Sequence, residues 1–294
     1  MTNVYECPLA SQVKNVVAII VSYNDSEAVI KCVEALRKQV VSIIVVDNGS
    51  QSAHKRILQT LEEIECLTLI YSSTNLGIGA AVNLALDTLD DTKVDWVLTM
   101  DQDSIAAPNM VESMVQLASE FPKAVFTPLI VDIGHSDKYT TPVEVDYAIT
   151  SGNLIPLTAV RQINGLDPKL FIDGVDFDFS LRLRAEGYRI IRVPAANMMH
   201  TLGSANPEKQ QKRFYTDHTP LRRYYMARNM ILNFRRHFFH FPFFMLRLVF
   251  VVLLTFLNVM IWSPRRIESM MMIFRGFIDG LLNRSGEYVN DSSH

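Results

Sequence analysis

Asp101 and Asp103, two carboxylates two residues apart, close an apolar run, Val94 to Met100, that reads as a buried strand. Acid presented at a strand tip suits a hard divalent cation. Mg2+ and Mn2+ favour oxygen ligands, and when one or two carboxylates hold them, phosphate oxygens commonly complete the shell. The chemistry implied is the handling of a diphosphate. Because an isolated Asp-x-Asp is also an ordinary turn, the expectation depends on the rest of the chain. Asp47-Asn48-Gly49-Ser50 closes another apolar run. It offers either a turn with a helix cap or a carboxylate able to accept the N3–H of uracil or thymine. Asn75-Leu76-Gly77-Ile78-Gly79 places glycines before a helix, where free N–H groups favour an anion. A plain loop-to-helix junction reads the same way, and the spacing matches neither the dinucleotide fingerprint nor the P-loop.

The second half supplies further groups. Ser151-Gly152-Asn153 interrupts a strand-like segment with small residues that allow a bulky ligand close to the backbone. Asp173, Asp176 and Asp178 lead into an amphipathic helix that ends near Gly187. They suit a helix cap and, equally, a general base acting on a hydroxyl. His200 is either a satisfied structural histidine or a ligand to Mn2+. Tyr224 and Arg228 lie four apart on one helix face, with Asn229 beside them; that face is either solvated and basic or turned toward phosphate.

These residues must be positioned by regular elements, and the first hundred residues alternate between two periodicities. Apolar runs at Val16–Ser22, Ile43–Val46, Leu67–Tyr71 and Val94–Met100 predict strands, while Asp25–Gln39, Ala53–Glu63 and Ile78–Leu89 carry apolar residues at helical spacing. Unbroken apolar strands alternating with helices predict an α/β fold with a mostly parallel sheet flanked by helices. Ligands of such sheets bind beyond the carboxyl ends of the strands, where Asp47, Asn75, Asp101 and Asp103 all fall.

The chain has 294 residues, 49% of them hydrophobic, and a formal net charge of -3, which argues against nucleic acid as a partner. Cys7, Cys32 and Cys66 are odd in number and widely spaced, so neither a disulfide framework nor a zinc site is expected. Met1 to Lys14 does not resemble a signal peptide, which leaves the catalytic part expected in the cytoplasm.

The ordered set Val21-Ser22-Tyr23-Asn24, Val46-Asp47-Asn48-Gly49-Ser50, Asn75-x-Gly77, Asp101-x-Asp103, Ser151-Gly152, Asp176-x-Asp178-x-x-x-Arg182 and His200 resembles the inverting family-two glycosyltransferases of the GT-A (Rossmann-like) fold. It is most similar to their bacterial rhamnosyltransferase branch, over roughly residues 15 to 235. The resemblance implies a site that binds a dTDP- or UDP-linked sugar through Ser22, Tyr23, Asn24, Asp47, Asn75, Gly77, Asp101, Gln102, Ser151, Gly152, Arg228 and Asn229. It implies Mg2+ or Mn2+ at Asp103, Asp101 and His200, with Asp178 and Tyr224 in the acceptor region. Asp176 inherits the role of catalytic base, although Val175 stands where the family usually has Glu. The implied donor is dTDP-L-rhamnose, and the implied acceptor is a lipid-linked glycan of O-antigen, capsule or exopolysaccharide synthesis. A nucleotidyltransferase and a noncatalytic nucleotide-sugar-binding membrane scaffold are the competing classes.

The expected division is an extension over 1–14, a GT-A domain over 15–235 with nucleotide-binding (15–105) and acceptor-binding (106–235) halves, and a helical region over 236–294. Phe238 to Trp262 is strongly apolar, but its uninterrupted part from Leu248 is short of the roughly 20 residues of a spanning helix. Arg235-Arg236 and Arg265-Arg266 flank it, which favours a helix lying on the inner face of the plasma membrane. A buried helical pair or a homodimer interface is the alternative.

Overall fold

The computed structural model describes residues 15–131, 140–200 and 218–289. The chain opens as β1 (Val16–Ser22), α1 (Ser26–Leu36), β2 (Ser42–Asp47), α2 (Ser52–Leu58), β3 (Leu67–Tyr71), α3 (Ile78–Leu86) and β4 (Trp96–Asp101). It continues through β5 (Ser104–Ala106), α4 (Met110–Val115), β6 (Ala124–Ile130), β7 (Val143–Glu144), β8 (Asn153–Pro156), α5 (Leu157–Gln162), α6 (Val175–Ala185) and β9 (Arg189–His200). Three helices follow, α7 (Pro220–His237), α8 (Pro242–Trp262) and α9 (Arg266–Leu281).

One sheet orders the strands β3-β2-β1-β4-β8-β6-β9-β5, with β7 on the side of β9. The continuous apolar run of β1 follows from burial on both faces. Val16, Ala18 and Ile20 enter one core layer, while Val17, Ile19 and Val21 enter the other. As expected, β1 to β4 pair in parallel. The later half is mixed, since β8 runs antiparallel to both β4 and β6 whereas β6 and β9 are parallel. Pro128 lies within β6, and the pairing with β9 slips immediately after it, because proline has no N–H for the ladder. Helix α1 stops at Leu36 rather than near Gln39, and the Gln39 amide instead donates to the carbonyls of Ala35 and Ala107. The segment from Gln59 to Glu63 is a 3-10 turn that continues α2.

Asp178 is completely buried at the junction of α6 and α7, and so does not line an acceptor region. It accepts from Arg182 Nε and Arg236 Nη1, both at 2.7 Å, and lies 2.9 Å from His237 Nε2. Arg182 also donates to the carbonyls of Ile163 and Gly165, and Arg236 to Asp167, so the cluster fastens the turn before α6 to both helices. Burial works against the charge. The hydrogen bond with His237 and the charges of Arg182 and Arg236 prevail and hold the Asp178 carboxyl well below the usual carboxylate range. Its stabilisation is therefore complete above about pH 4, the unfolded value, and lost as pH falls toward the folded one.

Helix α8 has 21 residues and is longer than the apolar count suggested, since Pro242 starts it and Arg247 is carried within it. Among the described residues it is the one helix long and apolar enough to cross a membrane. Phe243, Leu246, Phe250, Leu253, Leu257, Met260 and Ile261 form an exposed stripe along it, and Ile267, Met271, Phe274, Ile278 and Leu281 form another on α9. Helix α9 crosses α7 at close range because Gly276 and Gly280 lack side chains; a Cβ on Gly276 would come within 2.4 Å of the Tyr224 carbonyl oxygen. Helix α7 runs through the expected boundary at residue 235.

Asp178→Asn should lower stability at pH 7 by about 1.5–3 kcal/mol, because it removes the charge-assisted hydrogen bonds of a buried carboxylate to Arg182 and Arg236. Urea denaturation across pH should show the gap from wild type closing below about pH 4.

Candidate active site

The tips of the parallel strands meet on one edge of the sheet. Ser22 pairs in register with Asp47, and Val21 with Asp101. Asp47 is fully buried, yet neither of its carboxylate oxygens accepts a hydrogen bond. The nearest cation is Lys55 Nζ at 3.5 Å. A buried carboxylate with open lone pairs is set up for an N–H donor from a ligand. Among the described residues, the Ser22 hydroxyl beside it also has no hydrogen-bond partner. Gln102 clamps the loop after β1, accepting from the Tyr23 N–H at 2.7 Å and donating to the Tyr23 carbonyl at 3.2 Å. Asn24, with φ 52°, accepts from the Gln51 N–H, while its own N–H donates to Ser50 Oγ.

A group of acids lies next to this edge. One ligand atom from each of Asp101, Asp103 and His200 lies within 4.8 Å of the others, a spacing that a single cation can span. Pairing of β5 with β9 sets His200 opposite Ser104, whose Oγ is 2.7 Å from Nδ1. Ser104 Oγ is also 2.7 Å from Ser151 Oγ, and Ser151 accepts from the Asp101 N–H at 3.0 Å. The adjacent residue, Thr150, gives both its N–H, at 2.8 Å, and its hydroxyl to Asp176 Oδ1. Burial and the charges of Asp176 and Asp103 push the Asp101 carboxyl up to about 7. Burial also raises Asp176, against the two hydrogen bonds from Thr150. Like charges crowded at this spacing repel, and oxygen-rich ligands with one imidazole fit Mg2+ or Mn2+.

Several expected ligand contacts are spent on the protein itself. Ser151 is buried and holds the Asp101 strand tip, and the space beside Gly152 is filled, since a Cβ there would come 2.5 Å from the Pro128 ring. Asn75 Oδ1 accepts from Asn48 and from the Gly77 N–H, and the Leu76 N–H donates to Asn48. The Ile78 N–H donates to Phe171, so the start of α3 is docked onto the loop before α6 rather than open to an anion. Arg228 and Asn229 are buried in α7 and donate to main-chain carbonyls, Arg228 to Leu170 and Gly286, Asn229 to Leu170, Ile172 and Asp173. Tyr224 donates to Asp279 of α9. Arg228 and Asn229 position the 170–173 loop, which leads to Asp176, while Tyr224 ties α7 to α9. Thr150, Ser104 and Lys55 are the groups that motif reading missed. Ser104 directly follows the acidic pair, but a lone Thr or Lys carries no signal of its own. Residues 201–217, which follow His200, fall outside the described residues.

The sequence profile of the family described as "Glycosyl transferase family 2" matches residues 17–171, over half of the chain. A dTDP-rhamnosyl transferase, RfbF of Shigella flexneri, is 25% identical over 92% of this chain and 97% of its own length. An N-acetylglucosaminyl-diphospho-decaprenol L-rhamnosyltransferase of Mycobacterium tuberculosis is 25% identical over 54% of this chain and 66% of its own length. In fold, the chain is similar to the mannosyltransferase PcManGT of Pyrobaculum calidifontis, solved with GDP-Man and Mn2+. The TM-score is 0.63 at 14% identity, covering 93% of this chain and 89% of that one. The chain belongs to glycosyl transferase family 2 and is a glycosyltransferase with the GT-A architecture.

Crowding of Asp101, Asp103 and Asp176 leads to a direct expectation. Millimolar Mn2+ or Mg2+ should raise the melting temperature of wild type and leave that of Asp103→Asn nearly unmoved, as read by differential scanning fluorimetry.

Proposed function

We propose that this glycosyltransferase is an inverting, metal-dependent enzyme that moves L-rhamnose from dTDP-L-rhamnose to a hydroxyl of a lipid-linked glycan. The donor assignment draws on two relatives named as rhamnosyltransferases, and the lipid-linked acceptor on the diphospho-decaprenol in the name of one of them. One observation carries the mechanism: Thr150 and Ser151, neighbours in the chain, hold Asp176 and Asp101, so the base and the diphosphate anchor share one rigid segment.

In this reading Asp47 accepts the N3–H of the pyrimidine, with Ser22 beside it, and Tyr23, Asn24, Asn75 and Gln102 shape the nucleotide edge. Asp101, Asp103 and His200 would hold Mg2+ or Mn2+, and a cation there supplies positive charge for the departing diphosphate. Asp176 takes the proton of the acceptor hydroxyl. The oxygen attacks the anomeric carbon on the face opposite the diphosphate, the carbon–oxygen bond to dTDP breaks, and configuration inverts. The raised proton affinity of a desolvated carboxylate suits Asp176 to that role.

Residues 15–235 carry the transfer chemistry and 236–294 a face for the inner surface of the plasma membrane. What supports the second assignment is the pair of exposed apolar stripes on α8 and α9, with Trp262, Arg265 and Arg266 between them. A homodimer seam is the competing use of the same surface.

Asp176→Asn should retain dTDP binding while transfer falls by about 10^2–10^4-fold, the usual contribution of a general base. Near-wild-type transfer by this variant would sink the base assignment. Asp47→Ala should weaken dTDP by about tenfold or more and erase its advantage over GDP in calorimetric titrations, since a base-reading hydrogen bond is lost. Release of intact dTDP rather than pyrophosphate separates sugar transfer from nucleotidyl transfer.

A further inference from the structure

A cavity of about 440 Å3 opens between the β6–β9 region and the first turns of α8, away from the strand tips that carry Asp47. Its walls hold three guanidinium groups, Arg184, Arg192 and Arg247, against two carboxylates, Glu144 and Asp146. Glu144 is engaged by Arg189 at 2.8 Å, and Asp146 lies 3.4 Å from Arg184 and 4.0 Å from Arg247. The half-buried Arg192 guanidinium makes no hydrogen bond or ion pair with another described residue. Positive charge is thus in excess in a concave, polar space larger than a single phosphate requires. Guanidinium groups match phosphate oxygens in geometry and charge.

The surroundings say what kind of phosphate fits. On one side the wall runs through Ala148 and Ile149, and the next residue is Thr150, which holds Asp176. On the other side Arg247 belongs to α8 and is 76% exposed, at the foot of the apolar stripe that begins with Phe243. Tyr147 at the rim meets Phe177, the neighbour of Asp176, at 4.6 Å and Phe244 of α8 at 5.9 Å. A molecule seated here would have an apolar tail at the α8 surface, an anion among the arginines, and its far end beside the base.

We propose that this cavity binds the diphosphate of a prenyl-diphosphate-linked acceptor. The inference rests on the reading of the chain as a transferase acting on lipid-linked glycans, and it adds the group that anchors the acceptor and the residues that do so. Arg192 and Arg247 bind the diphosphate, and Arg184, tied to Asp146 and the ring of Phe241, frames it.

The test uses the full chain in detergent micelles with farnesyl diphosphate and farnesol as probes, and dTDP with Mn2+ as a separate readout of the donor site. Wild type should bind farnesyl diphosphate and not farnesol, and saturating dTDP should not displace it. The Arg192→Gln/Arg247→Gln double variant should lose about tenfold or more of that affinity, with Arg192→Lys in between, while dTDP binding stays unchanged. Equal affinity in wild type and double variant, or displacement by dTDP, overturns the assignment. Flotation with phosphatidylglycerol vesicles separates the two sources of phosphate. Unchanged vesicle binding by the double variant supports an acceptor site, and a parallel loss makes the cavity a general anionic-lipid site and refutes it. Because dTDP is read separately, failure of wild type to bind farnesyl diphosphate while it still binds dTDP overturns the cavity assignment alone, and failure of dTDP to bind wild type speaks against the underlying transferase reading.

Discussion

Thr150 and Ser151 impose the constraint around which the site is arranged. Successive residues send their hydrogen bonds to two different acids, Thr150 to Asp176 on α6 and Ser151 to the Asp101 main chain at the end of β4. One peptide unit therefore ties the Asp176 carboxylate to the backbone that carries Asp101, and the two carboxylates repel each other. The sheet holds this arrangement from both sides, since β8 begins immediately afterwards, antiparallel to β4, and the Gly152 N–H donates back to Thr99. Two core layers hold the surrounding sheet and helices in place. A cation matched to the acids would turn the repulsion into binding energy.

The parallel half of the fold was legible in the sequence because its cause is simple. A strand buried on both faces must be apolar at every position, and the β1, β2 and β4 segments read that way. The mixed half was not, because Pro128 and Pro194 break the period of β6 and β9 and their partners are distant in sequence. Among candidate site residues, the acids at strand tips were found, since charge following an apolar run is conspicuous. Arg228 and Asn229 were misplaced for an equally physical reason. A guanidinium or amide that suits phosphate oxygens suits carbonyl oxygens too, and only burial in α7 decides between them. Asp178 was ambiguous in the same way, as two of its partners, Arg236 and His237, lie nearly sixty residues on.

Support for the 170–173 loop comes from unexpected quarters. Residues 170–173 carry backbone that glycine favours, with positive φ at Phe171 and Asp173, and they are held by Asn229, Arg228 and the bidentate pair between Arg222 and Asp173. Helix α7 thus works as a clamp on the segment that delivers Asp176. That clamp is in turn seated on α9 through Gly276, Gly280 and the bond between Tyr224 and Asp279.

The segment after α9 closes this circuit. The Gly286 N–H donates to Lys169, the Gly286 carbonyl accepts from Arg228, and the Tyr288 N–H donates to the Tyr225 hydroxyl. Anyone seeking to shed the exposed apolar stripes would be drawn to cut before α8, where they begin. Such a cut would also remove the strap that keeps Arg228 facing the loop, so the apolar stripes and the ordering of Asp176 cannot be separated by truncation. Replacing the outward-facing side chains of α8 and α9 while leaving the glycine crossing intact is the route that the architecture leaves open.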